Sequence, residues 1–151
     1  YYVLKITTKI YSPELKPDLQ TKESIANFLF TSLEQYGDPI DQIIKCIEYA
    51  TTQINSFGGF IVVAHYEDKI VGAVIVNQTG MKGYIPENIL VYIATDSNYR
   101  GMGIGKKLMN EAIKNSNGNI ALHVEADNPA KKLYEKLGFT NKYLEMRLIK
   151  E

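Results

Sequence analysis

Apolar positions change their spacing several times along this chain, and each change marks an element. Tyr1 to Thr8 alternates loosely, the period of a strand with one buried face. Ser12 to Asp18 carries two prolines and reads as a loop. From Thr21, Ile25, Phe28, Leu29 and Leu33 recur at helical spacing, and Gly37 closes the segment. Asp38-Pro39 then has the form of an N-cap followed by a first-turn proline, ahead of a second helix whose stripe is Ile40, Ile43, Ile44, Ile47 and Ala50. Gly58-Gly59 ends that helix. Phe60–Tyr66 and Ile70–Val76, separated by Glu67-Asp68-Lys69, predict a hairpin.

After a loop from Asn77 to Pro86 the apolar run Ile89–Thr95 predicts a central strand. The polar break Asp-Ser-Asn-Tyr and the stretch Arg100-Gly-Met-Gly-Ile-Gly-Lys-Lys107 follow at once. Ile104, Leu108, Ala112 and Ile113 then share one face of a helix. Asn119–Glu125 predicts a strand, Asn128-Pro129 caps a helix bearing Ala130, Leu133, Tyr134 and Leu137, and Tyr143–Ile149 predicts a final strand. No internal repeat or low-complexity segment interrupts this order. The expected architecture is β-αα-βββ-α-β-α-β, an α+β chain with a mixed sheet flanked by helices and one domain spanning 1–151.

Strand, glycine loop and helix start together form an anion cradle: glycines let amides crowd a ligand, and the helix start adds partial positive charge. The dinucleotide code G-x-G-x-x-G fails, because Lys106 stands where its last glycine should be. The NTPase phosphate loop fails too. Its first glycine position holds Arg100, and Lys107 replaces the hydroxyl residue that would meet magnesium. Arg-x-x-Gly-x-Gly, as Arg100, Gly103 and Gly105, does fit, and it resembles the pyrophosphate loop of the GNAT superfamily of acyl-CoA-dependent N-acetyltransferases. Asn128-Pro-Ala-Lys-Lys-Leu-Tyr134-Glu-Lys-Leu-Gly138-Phe139 is similar to that superfamily's C-terminal helix motif, and the element order looks like the GNAT fold. The resemblance covers nearly the whole chain.

It implies acetyl-CoA as co-substrate and direct acetyl transfer to a primary amine in a ternary complex. Pyrophosphate contacts fall on Arg100, Gly101, Met102, Gly103, Ile104, Gly105 and Lys106. Contacts with the pantetheine arm fall on Ile93, Ala94 and Thr95 of a central strand splayed from its neighbour. Asn128 caps its helix and faces the same arm, and Lys131 reaches toward phosphate. Tyr134 takes the role of general acid toward the departing thiolate, because a phenol stays protonated at neutral pH. The base is open between His123, whose residue type titrates near neutrality, and Glu87 just before the central strand, with Glu125 a further choice. A glutamate is common near the place of His123 in related enzymes, so the histidine is a departure. Each assignment has a plainer alternative: a helix-entry turn, a core tyrosine, a surface histidine, solvated lysines. His65 reads as hairpin surface.

Composition narrows the partners. Lysine plus arginine equals aspartate plus glutamate at 17 each, and no basic run stands out, which argues against a nucleic-acid surface. No apolar run approaches membrane-spanning length, and no signal-peptide pattern opens the chain. The one cysteine, Cys46, excludes an internal disulfide and a multi-cysteine zinc site, and without a paired base it reads as a bystander. The expected setting is cytoplasmic, without metal or membrane partner. The acceptor is a small amine, a polyamine or a peptide N-terminus, shaped by the first two helices and the Asn77–Pro86 loop with Tyr36, Tyr49 and Tyr84. Dimers are common among the proteins this chain resembles, which makes a homodimer one of the expected forms. Two other functions keep the cradle: a non-catalytic acyl-CoA-binding or sensory module, and a nucleotide-binding protein.

Overall fold

The hairpin and the central strand supply the middle of one five-stranded sheet. The computed structural model describes residues 5–150. Its elements are β1 (Ile6–Tyr11), α1 (Leu19–Leu33), α2 (Ile40–Thr51), β2 (Gly59–Tyr66), β3 (Lys69–Gln78), β4 (Asn88–Thr95), α3 (Ile104–Asn115), β5 (Ile120–Leu122) and α4 (Lys131–Lys136). Short 3-10 turns occupy Glu34–Tyr36 and Ser97–Tyr99. The strands lie in chain order; β1 to β4 are antiparallel neighbours, and β5 joins β4 in parallel. This is the mixed, mostly antiparallel sheet flanked by helices that the residue pattern predicts.

β2 and β3 are buried on both faces, which explains their continuous rather than alternating apolar runs. On one face Ile25 and Leu29 of α1 and Ile43 and Ile47 of α2 pack on Ile61, Ala73, Ile75 and Tyr92. On the other, Ile104, Leu108 and Met109 of α3 and Tyr134 of α4 pack on Val62, Val74, Val76 and Leu90. Gly72 of β3 makes the second face fit. A Cβ there would stand 2.8 Å from Ile104 Cγ2 and 2.9 Å from Leu108 Cδ1, so any side chain would push α3 off the sheet.

Several boundaries move from their predicted places. Tyr1 to Leu4 lie outside the described residues, and β1 continues to Tyr11 rather than stopping at Thr8. Asp18, predicted as loop, caps α1 by accepting from the Thr21 amide at 2.8 Å, a bond that also lowers its pKa. Asp38 does not cap α2. Pro39 holds that position without a side-chain bond, while the Asp38 carboxylate accepts from the Tyr92 hydroxyl. β5 ends at Leu122, short of Glu125. The final strand predicted over Tyr143–Ile149 is not formed, and residues 140–150 are exposed and irregular. A strand needs a partner for its backbone groups, and no described residue supplies one here. No described helix is long and apolar enough to cross a membrane.

Candidate functional site

The site begins with an irregularity in β4. Val76 pairs with Leu90 and Ile75 with Tyr92, so Val91 is an extra residue, a β-bulge that bends the strand. On the other side β4 pairs with β5 only at Asn88, Ile89 and Leu90. β5 then stops while β4 runs on to Thr95. From Val91 to Thr95 the edge of β4 toward β5 is therefore open, and Ile93, Ala94 and Thr95 lie along it. A gap between two strands that begin paired and then part leaves main-chain donors and acceptors available to a ligand.

That open edge leads directly into the glycine loop. Gly101 and Gly103 both have φ of +81°, a left-handed conformation that L side chains rarely adopt, and no atom comes within 4 Å of a Cβ placed on either. Gly103 is the N-cap of α3 and makes no side-chain cap bond. The first helical bond of α3 is Lys107 N–H to Gly103 C=O, at 3.0 Å. Among the described residues, no acceptor meets any amide from Arg100 through Lys106. A helix start that is neither capped nor otherwise satisfied presents free amide donors and partial positive charge, the features that suit an anion. Gly105 sits at a junction: a Cβ on it would lie 3.5 Å from Leu133 Cδ2 and 3.8 Å from Thr95 Oγ1. The end of β4, the start of α3 and the α4 helix thus converge there.

Tyr134 of α4 belongs to the same core cluster as Ile104, with its ring edge-on to Phe139 at 6.1 Å between centroids. Burial pushes its phenol up to about 12. Its hydroxyl makes no hydrogen bond to the described residues, yet it is not among the buried polar atoms left without a partner, so it keeps an accessible surface. Asn128 organises the approach to α4: its Oδ1 accepts from Ala130 N–H at 2.9 Å and its carbonyl from Lys131 N–H at 3.1 Å. Lys131 is half-buried; Arg100, Met102 and Lys106 are exposed.

The two residues proposed as bases part company. Glu87 lies at the far end of β4, about 25 Å from Thr95 by strand rise. Its Oε1 accepts from Asn119 N–H at 2.7 Å and its Oε2 from Gly83 N–H at 2.9 Å. These bonds, the Asn119 amide foremost, hold its pKa below the usual glutamate value. A carboxylate so engaged is a weak base, and Glu87 acts instead as a clasp joining the loop before β4 to the start of β5. His123 is exposed just past the end of β5. Glu125, also exposed, lies beyond it, and its carbonyl accepts from Asn128 N–H at 3.0 Å.

Periodicity and motif reading missed the opposite wall. Asp38 and Tyr92, 54 residues apart, meet through the Tyr92 hydroxyl; burial, then this bond, raise the pKa of the tyrosine. Nearby, Tyr36 Oη donates to the Asp127 carbonyl at 3.4 Å, tying the α1–α2 turn to the segment before α4. Neither pairing leaves a mark in local sequence. Cys46 is buried beside Asn77, whose amide donates to Sγ at 3.4 Å, and burial pushes its thiol up to about 12. That is the profile of an inert thiol. His65 is half-buried on β2, and its pKa is lowered, first by burial and then by Lys9. Among the described residues, no three His, Cys, Asp or Glu side chains gather as a metal site.

Comparisons with known proteins bear on this geometry. The fold is shared with a GNAT family acetyltransferase from Streptococcus pneumoniae TIGR4, at 18% identity and TM-score 0.70 over 97% of this chain and 98% of that one. An aminoglycoside N-acetyltransferase, AAC(6')-Iy in complex with CoA, superposes at 16% identity and TM-score 0.66, covering 97% and 96% of the two chains. A chain of the NatC complex bound to Gag peptide and CoA matches at 20% identity and TM-score 0.69, covering 91% and 86%. No functionally curated protein sequence matches. Residues 57–141, which hold the hairpin, β4, the glycine loop, α3, β5 and α4, match the family described as acetyltransferase (GNAT) domain. This chain belongs to the GNAT acetyltransferase family.

Proposed function

We propose that the chain is an acetyl-CoA-dependent N-acetyltransferase that passes an acetyl group to a primary amine while both substrates are bound. The observation that carries this reading is the continuity of the open β4 edge, Val91 to Thr95, with the unpartnered amides of Arg100 to Lys106. The first suits an extended arm with amide groups and the second a pyrophosphate, and CoA joins those two parts in one molecule. Two structural neighbours carry CoA in their described complexes, which supports the same ligand here. Acetyl-CoA supplies the acetyl group as an activated thioester.

The chain's own residues do the rest. Backbone groups of Ile93, Ala94 and Thr95 hold the arm, the Gly101–Lys106 amides hold phosphate, and Arg100 and Lys131 add positive charge at its margins. An amide on the bulged part of β4 polarises the acetyl carbonyl. Tyr134 Oη delivers a proton to the departing sulfur, a task that requires a protonated phenol, which burial secures. His123 is the better choice for taking the proton from the ammonium, since both Glu87 oxygens are engaged elsewhere. Orientation of the two reactants provides much of the rate. The exposed Asp38 carboxylate at the α1–α2 turn favours a cationic acceptor, in line with aminoglycoside and peptide amines among the neighbours' described ligands and activities. Such a reaction requires no metal, nucleic acid or membrane, and its setting is taken as cytoplasmic.

Melting curves with acetyl-CoA, CoA, ATP and NAD test this. A ligand at a hundredfold its Kd adds about 2.7 kcal/mol, and for a domain of this size that raises Tm by roughly 5–10 °C. The reading expects that rise with the CoA species alone, followed by CoA release in an amine screen. A flat response to CoA, or a larger one to ATP or NAD, overturns it.

A further inference from the structure

Among the described strands β5 is the shortest, and its hold on β4 is slight. Three residue pairs join them: Asn88 with Ile120, Ile89 with Ala121 and Leu90 with Leu122. A parallel ladder of that length supplies few main-chain bonds, and parallel pairing is the weaker kind. Yet the gap beyond Leu90 has a definite width only if the strands part at a fixed place. Among the described residues no main-chain bond ties residues 123–127 back to β4. The closed end therefore has to set the geometry of the open one.

Side chains reinforce that closed end. Asn88 is 3% exposed, and its Nδ2 donates to two carbonyls of the turn leading into β5, Asn117 at 2.6 Å and Asn119 at 3.3 Å. Its main-chain N–H donates to the same Asn119 carbonyl at 3.1 Å. Glu87 grips Asn119 from its other side, with Oε1 accepting from the Asn119 N–H at 2.7 Å. Its Oε2 accepts from Gly83 N–H at 2.9 Å and its carbonyl from Thr79 N–H at 2.9 Å, which anchors the latch to the loop leaving β3. Gly118 gives the carboxylate room: its φ is +89°, and a Cβ there would run into Glu87 Oε1. Asn119 is thus held at both its amide and its carbonyl. An apolar residue at position 88 would fill the same space but leave the Asn117 and Asn119 carbonyls without the side chain that draws them to β4.

The geometry points to a task for this latch: we infer that Asn88, backed by Glu87, is a positioning residue for acetyl-CoA. It fixes where β5 parts from β4 and how widely, and so the fit of the arm, without touching the cofactor. The inference rests on the proposed seat of that arm along Val91 to Thr95. Leverage makes the latch matter. The held stretch from Asn88 to Leu90 is about 7 Å long, and the open edge runs about 17 Å further to Thr95. Slack at the held end is therefore more than doubled at the far end. Misplacing a reactant by ~1 Å can cost about 100-fold in rate.

Titration calorimetry with two ligands separates the gap from the glycine loop. Acetyl-CoA carries the arm, whereas 3′-phospho-ADP is the same nucleotide without it and meets the loop alone. In Asn88→Leu the Kd for acetyl-CoA is expected to rise about tenfold, while that for 3′-phospho-ADP moves by less than about twofold. Hydrogen exchange of amides 120–122 should quicken in the same variant. Thr51→Val removes a buried hydroxyl on α2 that donates to the Ile47 carbonyl at 2.8 Å, and it is the control for a general loss of stability. It should leave both constants at their wild-type values. If Asn88→Leu does not fold, Glu87→Gln, which can keep one of the two amide bonds, should show the same split at about threefold. Equal weakening of both ligands overturns the proposal, as does a folded Asn88→Leu protein that binds acetyl-CoA as the wild type does. A wild type that binds neither ligand removes the reading of the site, and the inference with it.

Discussion

Replacing Tyr134 by Phe removes one oxygen atom from the proposed site. That hydroxyl makes no hydrogen bond to the described residues, while its ring is packed against Phe139 and the core of α3. The ring stays, so the fold loses no internal bond, and stability should hold to within about 1 kcal/mol, a Tm change of at most ~4 °C for a domain of this size. Turnover should fall by roughly 10²–10⁴, the range for loss of a positioned general acid, with kcat and kcat/KM falling together. The assay is CoA release with saturating acetyl-CoA and an amine found in the screen, run beside a melting curve. The pH profile adds a second reading. Burial holds the phenol at about 12, so the wild type keeps its proton donor across the neutral and mildly alkaline range. The sign for stability follows: the stability linked to this group is present below the ordinary tyrosine value near ~10 and lost as pH rises toward the folded value. Tyr134→Phe should therefore resist alkaline unfolding better than the wild type. Wild-type turnover in the variant, or a large fall in Tm, would refute the assignment.

Other consequences concern the loop, the clasp and the cysteine. Gly103→Ala meets no atom within 4 Å but must hold φ at +81°, which costs about 1–2 kcal/mol and roughly 2–8 °C in Tm. Its KM for acetyl-CoA should rise more than its kcat falls, whereas unchanged melting and KM would mean the loop holds no ligand. Glu87→Gln should keep its turnover, because both carboxylate oxygens serve amides and not chemistry; a large loss of kcat with CoA affinity intact would restore Glu87 as the base. The lowered pKa of Glu87 gives stability that is present above the ordinary glutamate range and lost as pH falls through the folded value, so the Gln variant should show a flatter acid limb in a pH series of melts. Cys46, buried with its thiol near 12, should resist alkylation at pH 8 in the native protein and react on unfolding; rapid labelling with loss of activity would contradict its inert placement.

Features set by neighbours in the chain were legible from the residues alone. The stripes of α1 and α2, that of α3 apart from Ile113, which is exposed where Met109 is buried instead, the β2–β3 hairpin and the apolar run of β4 follow from periodicity, since burying one face demands it. The glycine loop was legible for a similar reason: left-handed backbone at Gly101 and Gly103 is a local demand that glycine meets without strain. Only the motif around Tyr134 singles it out as the proposed acid, because a buried tyrosine at helical spacing looks like core, and core is where it sits. Asn128 had the look of a helix cap, but Ala130 holds the N-cap of α4 without a side-chain bond, and Asn128 Oδ1 instead accepts from the Ala130 amide in the turn before the helix.

The remaining features come from pairings between distant segments. Asp38 had the look of a helix cap, but Tyr92 claims its carboxylate from across the sheet. Glu87 had the look of a base, but amides of Gly83 and Asn119 occupy it. No local pattern placed the bulge at Val91 or the parting of β4 from β5 after Leu90, since register is a property of two strands together. The last segment makes the division plain. Tyr143–Ile149 has the alternation of a strand, yet a strand exists only where a second backbone completes its hydrogen bonds, and among the described residues none does. Sequence by itself determined which segments can be helices, strands and anion-binding loops, because those depend on side-chain period and backbone freedom. Tertiary structure alone decided which edges stay open and which carboxylates are already taken, because those depend on what lies beside them in space.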